Sequence, residues 1–394
     1  MSQPGSGLVT SLDIPSTFTL SASARVPNAQ LTVPVEIRAS APNVVLDCGG
    51  ARCFTVQNVL NGAFTLRGVT LTNGAAPDGG CLYIANSNAN LVGVSLRNCD
   101  AGQGGGLSVN SGSALLLDGV SFVGNRASVL AAGMYAADSR VTMLNCEATD
   151  NQVVAPLSTP VGALVAGGAI VSTNCVLTMR TTVIARNSAA LALPPAGPPA
   201  NSGMPPPNAV SSYGGCLLAF ASSLTLSNCS FTKCTADFGG ALASLGVPSL
   251  TANMLANVQL SSALLLGVQF MQNSAAQSGG ALYIDSARAL QMQDCVFQAN
   301  SAANGAAVYA ISSSLTLDSG SFSGNSGVGN GGALFLDATF ASINQTAFSH
   351  NDARGGGALF YTTVQPALLS VQDDNTNAAT CGAFIAAPPV TLSL

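Results

Sequence analysis

The sequence has no tryptophan, one histidine and one lysine, and only 7% of its 394 residues are charged. An ordinary soluble protein carries roughly 25%. Twelve bases face 17 acids, for a net charge of −5, so no basic stripe is available for nucleic acid. Long apolar runs are also missing: Ser, Thr, Asn or Gly interrupts the hydrophobic residues every few positions. A bilayer helix needs about 20 in a row, so this chain offers no membrane span. The lone His350 precedes Asn351 with no nucleophile or fixed carboxylate beside it, and reads as a surface turn residue rather than a base. The eleven cysteines include no paired CxxC, so no thiolate metal site is expected, and nothing calls for a cofactor. "MSQPGSGLVTSLDIPSTF" lacks a basic leader and an apolar core, so no secretory signal is visible at the start.

What the sequence does have is 48% hydrophobic residues, 42 glycines and a repeat. That apolar content argues against disorder. A glycine-pair phrase returns as GGCLYI, GGCLLA, GGALYI, GGALFL and variants, with a hydrophobic residue at Leu82, Leu107, Met134, Ile170, Leu217, Leu242, Leu282, Val308, Leu334, Leu359 and Phe384. Seven of the ten steps between these positions are 25 to 27 residues. A second phrase, L-x-L-x-x-(V/C)-x-F-x-x-N, fills the rest of each unit, as in Leu290, Met292, Cys295, Phe297 and Asn300. Apolar positions two apart belong to strands with one face inward.

Three short strands per unit, repeated in register, predict an all-β chain: a single right-handed parallel β-helix of about 12 coils at roughly 4.8 Å spacing. Residues 1–30 are expected to form an N-terminal segment, either a cap or a partial first coil, and residues 31–394 the solenoid. Stacking places equivalent positions above one another, which is why the phrase returns. Asn125, Asn187, Asn273, Asn300, Asn325 and Asn351 are expected at turns of positive φ, their amides pairing from coil to coil. Glycine is expected at the next bend, where a Cβ would collide. Cys146, Cys229 and Cys295 align with Val69, Val94, Val120 and Val268 and read as small buried hydrophobes. Cys48 and Cys53 are a candidate disulfide, close enough to bridge across a Gly-Gly turn.

The pairing of GGA-L/I with F-x-x-N resembles the repeat signature of the chlamydial polymorphic outer-membrane proteins, relatives within the pectin-lyase-like β-helix superfamily. Gly279 to Leu282 with Phe297 and Asn300 carry it, as do Gly331 to Leu334 with Phe348 and Asn351, and Phe122 with Asn125. The resemblance covers roughly residues 31 to 394. It implies a surface-displayed, adhesive passenger, extracellular or on the cell surface. Those passengers precede an outer-membrane barrel that this chain does not contain. The final "APPVTLSL" looks like the start of another strand, so the chain is expected to be a fragment of a longer product or to dock end to end on a partner.

Three long steps must leave the stack as loops, at about 152–166, 188–213 and 245–262. The first two emerge at one corner, one above the other. Tyr83, Tyr135, Tyr283, Tyr309, Phe335 and Phe360 occupy one outward position and are expected to form an aromatic stripe. Loops or stripe would hold a glycan or a surface protein. Enzymes of this architecture need paired carboxylates or an acid cluster with a base. Asp285 and Asp337 share a register but lie two coils apart with Ile311 between; Asp118 and Asp318 lie far apart along the rod, and Arg288 and Arg354 align with neither pair. No catalytic residue is therefore assigned, and a non-catalytic scaffold is expected, with a polysaccharide lyase or glycoside hydrolase as the alternative. Asn228 in "NCS" and Asn344 in "NQT" match the N-glycosylation sequon.

Overall fold

From the third circuit on, a typical circuit of the chain contains four short strands, whereas the first two contain three. One circuit runs Ser262–Leu266, Gln269–Met271, Ser274–Ser278 and Leu282–Asp285, and these define the first to fourth faces. The computed structural model describes residues 17–20, 22–156, 158–159, 164–191, 211–246, 261–374 and 376–386. Among them there is no helix, and so none long and apolar enough to cross a membrane. Equivalent strands pair in parallel into four 13-stranded sheets, one per face. From the third coil on, the expected three-strand coil thus gains a fourth strand, between the asparagine corner and the glycine pair, and the described residues form 13 coils where about 12 were expected.

The strands begin before residue 31. Thr17 pairs with Glu36, Ala24 with Leu46 and Ala29 with Phe54, so the stack reaches back at least to Thr17. The middles of the three loops and the C-terminal 387–394 lie outside the described residues. The first two loops nevertheless leave and return at stacked points: Ala155 pairs with Leu191, and Val165 with Ser212.

Coil-to-coil register follows the aligned phrases. Phe270, Phe297, Phe322 and Phe348 are successive partners on the second face, with ring centroids 4.9, 4.5 and 5.0 Å apart inside the coil. These rings are fully or almost fully buried in one continuous apolar core, each contributing about 1.5 to 3 kcal/mol by removal from water.

Most corners turn on a left-handed residue; around one circuit these are Gly267, Gln272, Gly279 and Ser286, with φ between 54° and 67°. This corrects the expected role of the ladder asparagines. The positive φ belongs to the residue before each one (Gln272, Ala299, Gly324, His350), and the asparagine that follows points inward and is buried. Glycine dominates only at the glycine-pair corner, where Ala131, Ala132 and Ala306 are among the residues that replace it. A Cβ at Gly279 would lie 2.2 Å from the Leu282 carbonyl oxygen, and one at Gly280 would lie 2.2 Å from that of Ala306.

Candidate functional site

Inside the corner between the second and third faces, Asn300 Nδ2 donates to Asn325 Oδ1 and to the Phe270 carbonyl, each at 3.0 Å. Its Oδ1 accepts from the amide and the backbone N–H of Asn273, again at 3.0 Å. Both donors and both lone pairs are used, so this column is a framework with nothing left for a ligand. It has two runs: Asn125, Asn151 and Asn187, then Asn273, Asn300, Asn325, Asn351 and Asn377. Asn151 and Asn377 escaped the sequence pattern because Ala148 and Asp373 stand where the other ladder coils have Phe or, before Asn187, Ile184.

Cysteine stands where the ladder stops. The Cys99 N–H donates to Asn125 Oδ1 and the Cys234 N–H to Asn273 Oδ1, both at 3.0 Å. Cys99 is bonded to Cys81, and Cys234 to Cys216. Cys81 and Cys216 each follow a glycine pair, where ladder-bearing coils carry Ala or Gly, as at Ala281, Ala307 and Gly106. The Cys48–Cys53 bridge is present as expected. Cys146, Cys229 and Cys295 are buried free thiols; burial pushes Cys146 and Cys295 up to about 11 and raises Cys229. A second column, also unforeseen, lines the corner between the fourth and first faces. There Ser87, Ser113, Ser222 and Ser313 accept from a backbone N–H of the preceding coil.

The aromatic positions divide into a stack and two separate rings, correcting the continuous stripe. Tyr283, Tyr309, Phe335 and Phe360 stack with centroids 5.6, 4.7 and 5.0 Å apart. Ser108 separates Tyr83 from Tyr135, and Val171, Leu218 and Ala243 separate Tyr135 from Tyr283. Tyr213 and Phe238, themselves stacked at 5.0 Å, come across from the third face and close against Tyr283. Rings stacked this way spend their faces on one another and present edges. Phe335 is only 9% exposed. Burial first, and Asp285 among neighbouring charges, raises the Tyr283 and Tyr309 phenols, which keeps them neutral. Arg52 lies 4.9 Å over the separate Tyr83 ring, while its guanidinium donates to Gly79 O, Asp78 O and Thr55 Oγ1.

The outer third face carries a groove of about 370 Å³, lined by Asp100, Arg126, Ala127, Ser128, Gln152 and Val154. Asp100, Arg126 and Gln152 are register partners on three successive coils and all are exposed. The register shifts between Ala101 and Gln103 against the next strand, a bulge that opens the pleat at Ser128. The strand Gln152–Ala155 runs directly to the first insertion, and Ser188–Leu191, which runs to the second, pairs with it, so the groove lies at the foot of the two stacked loops. No side-chain hydrogen bond or ion pair engages Asp100, Arg126 or Gln152 among the described residues. A second hollow of about 300 Å³, beside Asp138, Arg140 and Asn174, is different: the Asn174 amide already donates to Asp138 at 2.7 Å.

Asp285, Ile311 and Asp337 occupy one outward register as expected, and Asp337 accepts a hydrogen bond from the Thr362 hydroxyl at 2.6 Å. Among the described residues no three His, Cys, Asp or Glu side chains gather to hold a metal ion. Four parallel sheets wound around one core decide the class. The chain is a parallel β-helix.

No family model matches this β-helix, and no curated protein matches it in sequence. Among solved structures it is similar to the A-module of a mannuronan C-5 epimerase of Azotobacter vinelandii, at 11% identity and a TM-score of 0.35, over 94% of this chain and 92% of that one. It is also similar to tailspike protein 3 of bacteriophage CBA120, at 10% identity and a TM-score of 0.30, over 96% of this chain and 56% of that one. Both are parallel β-helix proteins. The first is a carbohydrate-active enzyme module, which corrects the expectation that this chain is not an enzyme: absence of catalysis does not follow from the coil and is not carried forward.

Proposed function

We propose that this β-helix is an extracellular, surface-associated protein that takes a glycan in the third-face groove beneath its two stacked insertions. The strongest support is the row Asp100, Arg126 and Gln152: a carboxylate, a guanidinium and an amide on adjacent coils, facing outward with no side-chain partner among the described residues. Strands about 4.8 Å apart offer these groups at a regular pitch. Together they can accept from and donate to sugar hydroxyls, and the guanidinium can grip a sugar carboxylate in bidentate fashion. Val154 adds an apolar patch for a ring face. Three disulfides favour an oxidising, extracellular setting. The F-x-x-N and GGA repeat, similar to that of surface-displayed polymorphic outer-membrane proteins, favours display at a cell surface.

Incubation with a panel of neutral and acidic polysaccharides tests the proposal. Binding should weaken at least about tenfold, roughly 1.4 kcal/mol, in Arg126→Ala and Gln152→Ala. Wild-type affinity in both variants rejects the groove. The same mixtures are read for new reducing ends or unsaturated products, and turnover lost in Asp100→Asn would place processing as well as binding at this site.

A further inference from the structure

We infer that the chain carries an N-linked glycan on Asn228. Two independent observations lead there. The first is redox: Cys81–Cys99 and Cys216–Cys234 each join residues 18 apart, and all four cysteines are at most 1% exposed. Bonds sealed this far inside the coil must form as the chain folds, in an oxidising compartment. A sequon-bearing chain that folds in such a lumen meets the machinery of N-glycosylation.

The second observation separates the two sequons. Asn228 sits at the corner between the first and second faces with φ 52°, is exposed, and has no side-chain hydrogen-bond partner among the described residues. One coil further on, the corner position is Gly267, where a Cβ would come within 2.8 Å of Asn228 Oδ1; glycine there leaves the side chain its room. Cys229, the middle residue of the sequon, is a free thiol and forms no competing bridge. Asn344 is the contrast. It lies within the strand Phe340–Asn344, is half-buried, and its Nδ2 donates to Asp318 Oδ1 at 3.1 Å. Its sequon hydroxyl, Thr346, is fully buried and donates to the Asn344 carbonyl. Glycan on Asn344 would have to displace these bonds.

The chemistry requires a lipid-pyrophosphate-linked oligosaccharide and its transferase. The bond from the anomeric carbon to the pyrophosphate oxygen breaks, that carbon bonds to Asn228 Nδ2, the amide gives up one proton, and the lipid pyrophosphate leaves. Asn228 keeps one N–H and its oxygen. The whole second face separates this corner from the third-face groove, so the glycan leaves the proposed binding surface open. This inference rests only on the extracellular part of the proposed function.

The test is secretion of the full chain by cells that export through an endoplasmic reticulum, followed by peptide N-glycosidase F treatment in heavy-oxygen water and peptide mass spectrometry. The expected result is a mass loss on digestion, with the heavy-oxygen aspartate at position 228 and unmodified Asn344. Asn228→Gln and Ser230→Ala should each abolish the shift. The second variant leaves Asn228 in place and so separates loss of the sequon from loss of the fold. Secreted protein with all three disulfides intact and no glycan at position 228 overturns the inference, as does occupancy of Asn344 alone. Polysaccharide binding by that same unglycosylated protein would leave the groove proposal standing.

Discussion

Asn300 uses its whole hydrogen-bonding capacity inside the core, so shortening it strands four partners at once. Asn300→Ala leaves the Asn273 amide and N–H, the Asn325 oxygen and the Phe270 carbonyl short of a bond. At about 1 to 3 kcal/mol for each group left unsatisfied, with partial repair by relaxation, the loss should be about 3 kcal/mol in denaturant unfolding. Phe297→Ala, which removes one ring of the buried stack, should cost about 3 to 5 kcal/mol by the same measurement. The buried thiols give a chemical check. With ionisation moved from 9.0 to about 11 at Cys146 and Cys295, only about one in a thousand is thiolate at pH 8, so native protein should resist alkylation there until unfolded. The sign for stability follows: a raised thiol contributes below pH 9 and its contribution is lost as pH rises through about 11. At this scale the sequence was informative. F-x-x-N marked five of the eight ladder asparagines because Phe and Asn recur together, Asn187 followed Ile184 in the same place, and the pattern failed at Asn151 and Asn377, where Ala148 and Asp373 replace the large apolar residue.

At the scale of the coil, an Asn at the ladder position and a disulfide are alternatives. A coil whose glycine pair is followed by Ala or Gly continues the ladder, whereas GGC is answered by Cys at the ladder position 18 residues on. If the two devices are interchangeable, Cys216→Ala combined with Cys234→Asn should recover part of the stability lost in Cys216→Ala with Cys234→Ala. A bridge closing about 18 residues is worth about 3 kcal/mol, and the restored amide should return roughly 1 to 2 kcal/mol of it. Equal melting of the two double variants would show that the column tolerates a gap there. This exchange was hidden in the sequence, because its two cysteines belong to different phrases and meet only when one coil is laid on the next. The fourth strand was hidden for another reason: segments such as Ser274–Ser278 and Asp352–Gly355 are short, small and polar, without the L-x-L alternation that marks the other faces.

Over the whole molecule, the two disulfides bracket the segment from which both stacked insertions emerge, with the Asn125–Asn151–Asn187 run between them. The loops therefore spring from a cross-linked base, and the groove beside them has a fixed floor. Charge is distributed unevenly along the rod. Residues 187–394 hold eight acids and three bases, a balance of −5, whereas residues 1–186 hold nine of each. The groove lies in the neutral half, so its glycan affinity should depend on Arg126 more than on the overall field, and should fall only modestly between about 50 and 200 mM salt. The loop positions were legible as long steps in the repeat. The row Asp100, Arg126 and Gln152 was not, because three unlike residues in three different coils share no word in the sequence.

The four corners also divide the surface into seams of unequal freedom. Along the edge that ends at His350, left-handed positions are filled by Asn98, Gly124, Asp150, Arg186, Lys233, Gln272 and Ala299, whereas the glycine-pair edge admits a single Ala, Ala131, among its glycines. A rod built this way can change its charge, polarity and bulk along three of its margins without disturbing a single rung, while the fourth stays chemically silent. Saturation libraries should recover nearly any side chain on the three permissive margins and almost none on the other, so new recognition would arise along three edges of the cylinder and hardly ever on the fourth.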